Sequence, residues 1–123
     1  MYERNTKRTR ASSNEADFLL LLSTCGTADE ARRIARTLVD ERLAACVNIT
    51  KIDSIYRWKD QIEESEEQLL IIKTRSSIHE KAEKRIRALH SYELPEIIAL
   101  KVEKGYPPYL DWIARNVCRL ESG

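Results

Sequence analysis

Two extended segments set almost end to end constrain this fold more than any other feature of the sequence. From Ala45 to Trp58 the chain carries Val47, Ile49, Ile52, Ile55, Tyr56 and Trp58. These β-branched and aromatic residues favour a pleated backbone over a helix. A second segment runs from about Glu66 to Thr74, centred on Leu69-Leu70-Ile71-Ile72. Between them lies Lys59-Asp60-Gln61, a polar link with turn character at Asp60. The arrangement predicts a long antiparallel hairpin. Glu63, Glu64, Glu66 and Glu67 crowd its distal part, where repeated charge protects an exposed edge from unwanted pairing.

The flanks of the hairpin have matching patterns. Asp17 to Thr24 reads as a strand buried on both faces, broken by Cys25-Gly26. Thr27 and Glu30 fit a capping box, and Ala31, Ile34, Ala35, Leu38, Val39 and Leu43 follow at helical spacing. After the hairpin, Ser77 and Glu80 repeat the capping pattern, and Ile78, Ala82, Ile86 and Leu89 form a second apolar stripe. Pro95 forces Leu94 into an extended conformation and ends the helical pattern. Ile97 to Val102 gives a fourth strand, and Pro107-Pro108 opens a last helix reaching towards Leu120. Strand, helix, strand, strand, helix, strand and a C-terminal helix make an α+β, ferredoxin-like split β-α-β sandwich. Its antiparallel sheet carries two helices on one face. The other face, with Tyr56 and Trp58, is too apolar to leave in water, so a partner subunit is expected over it. Residues 17–120 are read as one domain, and residues 1–16 as a disordered, solvated tail.

Composition narrows the function. With 123 residues there is room for one core, and a formal net charge of +1 leaves no footprint for nucleic acid. Three Cys beside three Gly and three Pro exclude a disulfide scaffold and a low-complexity chain. Arg4, Lys7, Arg8 and Arg10 make the first residues basic, with no apolar stretch behind them to act as an export signal. The longest apolar run, Phe18 to Leu22, is far too short to cross a bilayer. A cytoplasmic protein with reduced thiols and no membrane partner is expected.

An ordered set of segments resembles the CutA divalent-cation-tolerance family. Asp29-Glu30-Ala31, with Ile34-Ala35 and Leu38-Val39, is similar to the family's first helix. Leu43-Ala44-Ala45-Cys46-Val47-Asn48 resembles its Leu-Ala-Ala-Cys-x-Asn signature, and Ser54-Ile55-Tyr56-Arg57-Trp58 its Ser-x-Tyr-x-Trp strand. Glu67 with Ile72-Lys73-Thr74, then His90-Ser91-Tyr92-Glu93-Leu94-Pro95-Glu96, then Tyr109-Leu110 with Trp112-Ile113, complete the match over roughly residues 17–115. The resemblance implies a tight homotrimer without catalysis, tied to copper and other divalent-metal tolerance. It implies copper or another divalent cation as the bound species.

The resemblance places metal ligands at His90 and Glu96. An imidazole and a carboxylate suit Cu(II) or Zn(II), although the spacing is no helical ligand pair. Metal-binding members can carry a Cys where this chain has Ser23, with Cys25 two residues further on. The alternative for His90 is a helix C-terminal residue whose ring the helix dipole protonates. For Glu96 it is a solvated or salt-bridged carboxylate. Lys73, in an apolar strand, calls for an acidic partner such as Glu67 or Glu96, or for an anionic ligand. With Trp58, Tyr92, Tyr109 and Trp112 it defines a second expectation, an anion- or small-molecule-binding cleft like that of PII signalling trimers. The alternative for the aromatics is ordinary core or interface packing. Ser23-Thr24-Cys25-Gly26-Thr27 lacks the Arg of a phosphate-cradling loop, and no nucleophile with a base can be placed, so no enzyme is expected.

Overall fold

A computed structural model describes residues 18–118. The expected tail, residues 1–16, and Leu120 lie outside the described residues. In chain order the elements are β1 (Phe18–Cys25), α1 (Ala28–Asp40), β2 (Cys46–Trp58), β3 (Gln61–Arg75), α2 (His79–Leu89), β4 (Ile98–Lys101) and α3 (Pro107–Asn116). A 3-10 turn, Ser76–Ile78, leads into α2. The four strands form one antiparallel sheet in the order β2-β3-β1-β4. This is the α+β, ferredoxin-like arrangement.

The hairpin is longer than its composition suggests. β3 begins at Gln61, well before Glu66, and pairs with β2 from Trp58↔Gln61 down to Cys46↔Lys73. Lys59 and Asp60 alone make the turn, with φ of 50° and 64° respectively. Two left-handed residues give a turn whose twist matches that of the strands it joins. Glutamate is a poor strand former in isolation, and here cross-strand partners such as Tyr56 and Ile52 hold Glu63 and Glu67 extended.

β1 is central in the sheet, yet only one of its faces is sealed. Leu19, Leu21, Ser23 and Cys25 are buried against the helices, whereas Phe18, Leu20 and Leu22 on the other face are half-buried. The expected burial on both faces is therefore not completed within a single chain. Ile34 and Leu38 of α1, Ala82 and Ile86 of α2, and Leu21, Leu70 and Ile72 of the sheet are fully enclosed in one core. Ile113 and Val117, at the end of α3, extend it.

The two expected capping boxes fare differently. Thr27 caps α1, its Oγ1 accepting from the Glu30 N–H at 3.1 Å. The Glu30 carboxylate does not return to Thr27. It accepts hydrogen bonds from Ser91, which follows α2. At α2 no side chain caps, because the 3-10 turn takes up Ser76 and Ser77 and the helix starts at His79.

Candidate functional site

β1, the first turn of α1 and the end of α2 converge on a buried cluster of Cys25, Glu30 and His90. One ligand-type atom from each lies within 4.8 Å of the others. His90 caps α2, where its backbone N–H bonds to Ile86, and its side chain is fully enclosed. The ring's hydrogen bonds fix its state. A carbonyl only accepts, so Nε2 must carry the proton it gives to the Thr24 carbonyl at 2.7 Å. A backbone N–H only donates, so Nδ1 offers its lone pair to Tyr92 at 3.0 Å. The imidazole is thus neutral, and its 3.6 Å approach to Glu30 is not an ion pair. These two bonds leave no place for the dipole-protonated ring expected as the alternative, since a doubly protonated ring could not accept from the Tyr92 N–H.

Glu30, 9% exposed, spends both oxygens on Ser91: Oε2 accepts from its N–H at 2.7 Å and Oε1 from its hydroxyl at 3.0 Å. The Cys25 Sγ lies 3.8 Å from His90 Nε2. Burial pushes the Cys25 thiol up to about 12, and repulsion from Glu30 and Glu67 adds to that against an opposing Arg33. The cluster is therefore a set of neutral or satisfied groups around one carboxylate. Sulfur, imidazole nitrogen and carboxylate oxygen together suit a borderline divalent ion such as Cu(II) or Zn(II). The donor set fits a metal provided the metal's charge displaces the thiol proton and His90 gives up one of its two ring hydrogen bonds, to the Thr24 carbonyl or from the Tyr92 N–H, to free a lone pair.

Ser91 and Tyr92 also form a wall of a neighbouring cleft of about 760 Å³. Its aromatic side is Tyr56, Trp58 and Tyr92, and its carboxylates are Glu67, Glu93 and Glu96. Glu67 is 7% exposed and accepts from the Tyr92 hydroxyl at 2.6 Å. Burial, then this bond, raise the Tyr92 phenol above the ordinary range. Gly26 permits the approach, since a Cβ there would stand 3.3 Å from the Tyr92 Oη.

Lys73 lies elsewhere. It is half-buried on β3, and its amine reaches the Tyr109 hydroxyl at 3.4 Å and sits 5.6 Å from that ring's centroid. Trp112 stacks on Tyr109 at 5.4 Å. Six residues of strand, at about 3.3 Å each, separate Lys73 from Glu67 by roughly 20 Å. The single cleft expected from Lys73, Trp58, Tyr92, Tyr109 and Trp112 is therefore two places. Glu67 is not the partner of Lys73, which pairs with an aromatic side chain instead.

The comparisons with known proteins agree with this fold. The family described as CutA1 divalent ion tolerance protein matches residues 19–116. The chain belongs to the CutA1 family. It is 46% identical over 98 residues to the divalent-cation tolerance protein CutA of Thermus thermophilus, covering 79% of this chain and 95% of that one. It is 52% identical over 91 residues to protein CutA of Mus musculus, which covers 73% of this chain but only 51% of the mouse protein. The crystal structure of CutA from Xylella fastidiosa superposes with a TM-score of 0.81 at 45% identity, covering 83% of this chain and 99% of that one. The family and the Thermus thermophilus relative are named for divalent-cation tolerance, and none of these names is that of an enzyme.

Within the CutA1 frame, the expected pairing of His90 with Glu96 is not the cluster that forms. His90 is grouped with Cys25 and Glu30, and Glu96 lines the cleft. Sequence reading missed Glu30 because its spacing from Thr27 gave it a capping role. Cys25 was within reach of the argument: β1 continues through it, so it shares a face with Ser23, and its sulfur meets the ring.

Proposed function

We propose that this chain takes up a divalent metal ion at Cys25, Glu30 and His90, with copper or zinc as the species the donors suit. The observation that carries the reading is the convergence of these three donors within 4.8 Å. A thiolate and a carboxylate balance the charge of a divalent ion, and a neutral imidazole completes a site closed to bulk water. In this reading Glu30 takes the place expected of Glu96. The protein acts without catalysis, as a cytoplasmic homotrimer. Support for assembly comes from apolar side chains left in water, with Ile55 68% and Leu94 72% exposed.

The test is calorimetric titration of Cu(II) and of Zn(II) into reduced, metal-free protein, beside Cys25→Ser, His90→Ala and Glu96→Gln. Saturable binding is expected, weakened by roughly tenfold or more in the first two variants and unchanged in Glu96→Gln. Proton release on binding, seen as a dependence of the heat on the buffer, is expected because the thiol must ionise. Equal binding by wild type, Cys25→Ser and His90→Ala would overturn the assignment. Light scattering giving the mass of a single chain would overturn the trimer.

A further inference from the structure

His90 can take a metal only by losing a contact, and one contact is lost whichever ring nitrogen the metal uses. Nδ1 accepts from the Tyr92 N–H at 3.0 Å, and Nε2 donates to the Thr24 carbonyl at 2.7 Å. A metal at Nδ1 occupies the lone pair that Tyr92 now holds. With the ring kept neutral, a metal at Nε2 drives the ring proton to Nδ1, where it faces a second donor, so the bonds to Thr24 and from Tyr92 both break. Nδ1 is therefore the nitrogen with the smaller loss. It is also the one 3.6 Å from Glu30 Oε2. Two ligands at about 2.0–2.1 Å from one tetrahedral ion stand roughly 3.4 Å apart. The Nε2–H bond to a carbonyl is then the outer contact that orients a metal-bound imidazole.

Two consecutive residues cover the donors. Ser91 bonds both oxygens of Glu30, and Tyr92 covers Nδ1. A carboxylate oxygen has a second lone pair, so Glu30 can ligate with Ser91 in place, whereas Nδ1 has only one and Tyr92 must let go. Thr24 is fixed inside β1, in register with Leu69 of β3. Tyr92 lies between α2 and β4, in a stretch with neither helix nor strand. It is held at its other end as well. Its ring is 4.9 Å from that of His90, and its hydroxyl donates to Glu67 Oε2 at 2.6 Å. Glu67, 7% exposed, belongs to β3 of the long hairpin. So short a bond weakens steeply once its donor is drawn back.

We infer that metal uptake is coupled to a latch: the ion takes His90 Nδ1, the Tyr92 N–H is displaced, and the Tyr92 hydroxyl is drawn off Glu67. The buried site thereby transmits its occupancy to the hairpin, and by linkage whatever holds Tyr92 on Glu67 weakens the metal. The inference rests on the metal reading above, and its test separates the two. The probe is Zn(II), added to reduced, isotope-labelled protein whose only two histidines are His79 and His90. NMR of the rings should show His90 Nδ1 shifting on zinc binding while Nε2 keeps its proton, and the Tyr92 amide should lose its protection against exchange with solvent. Tyr92→Phe removes the hold on Glu67 without touching a ligand. Calorimetry should find it binding zinc roughly tenfold more tightly than the wild type, the weight of one hydrogen bond to a charged group. Zinc bound by the wild type but not by Cys25→Ser upholds the site. If the Tyr92 amide then stays protected, or Tyr92→Phe binds no tighter, the latch is refuted and the site stands. The amide is measured in the wild type, so misfolding of the variant cannot decide the outcome. Zinc bound by neither the wild type nor Tyr92→Phe would overturn both readings.

Discussion

Replacing Ser23 with alanine should make this protein more stable. Ser23 sits on the helix-facing side of β1, in register with Leu70, and is 1% exposed. Its Oγ is buried and has no hydrogen-bond partner among the described residues. Leaving a buried hydroxyl unmatched costs about 1–3 kcal/mol, because its bonds to water are lost and nothing replaces them. Ser23→Ala removes that cost. The opposing term is the space left by one oxygen, on the order of 10 Å³, which at about 24 cal/mol per Å³ amounts to roughly 0.2 kcal/mol. The first term wins, and a net gain of about 1–2 kcal/mol is expected. In urea unfolding, a slope of roughly 1–3 kcal/mol per molar translates this into a midpoint higher by about half a molar or more, with the slope unchanged. Chain concentration must be held fixed, since assembly would shift the midpoint by mass action. A midpoint that stays put or falls would refute the reasoning: the hydroxyl would then have a partner, such as a buried water.

Two further outcomes follow from the same structure. Thr27→Ala removes the Oγ1 that caps α1 through the Glu30 N–H, and urea unfolding should show a loss of about 1 kcal/mol, which Thr27→Ser should largely avoid. Arg85 donates to both oxygens of Glu41, at 2.9 and 2.8 Å, and these bonds hold the Glu41 carboxyl below its ordinary 4.5. A carboxyl lowered in the folded state contributes stability above its ordinary value, and loses it as pH falls through the folded one. NMR titration should therefore find Glu41 protonating at lower pH in the wild type than in Arg85→Met, and the absence of that difference would show the pair to be open in solution.

How much of this protein was legible in its residues is clearest from the hairpin. β-branched and aromatic positions from Val47 to Trp58 revealed the first arm, but the run of Glu disguised the second, because propensity ignores what a neighbouring strand supplies. The caps divide along the same line. Thr27 acts within four residues of itself and was readable. Glu30 looked identical to a capping partner and was claimed by Ser91, 61 positions away. His90 was recognised as a residue of interest, but its companions depend on three chain segments meeting.

Local chemistry and period, written in consecutive residues, determined the order of elements, the α+β class and the family to which the chain belongs. Packing decided which side chains work together. β1 had to run on through Cys25, α2 had to end beside α1, and the segment after it had to fold back on the sheet before Cys25, Glu30 and His90 could meet. The same fold-back set Tyr92 against Glu67 and left Lys73 some six residues along β3, with Tyr109 instead. Distances of this kind are fixed by burial and backbone hydrogen bonding across the whole chain, and no window of sequence contains them.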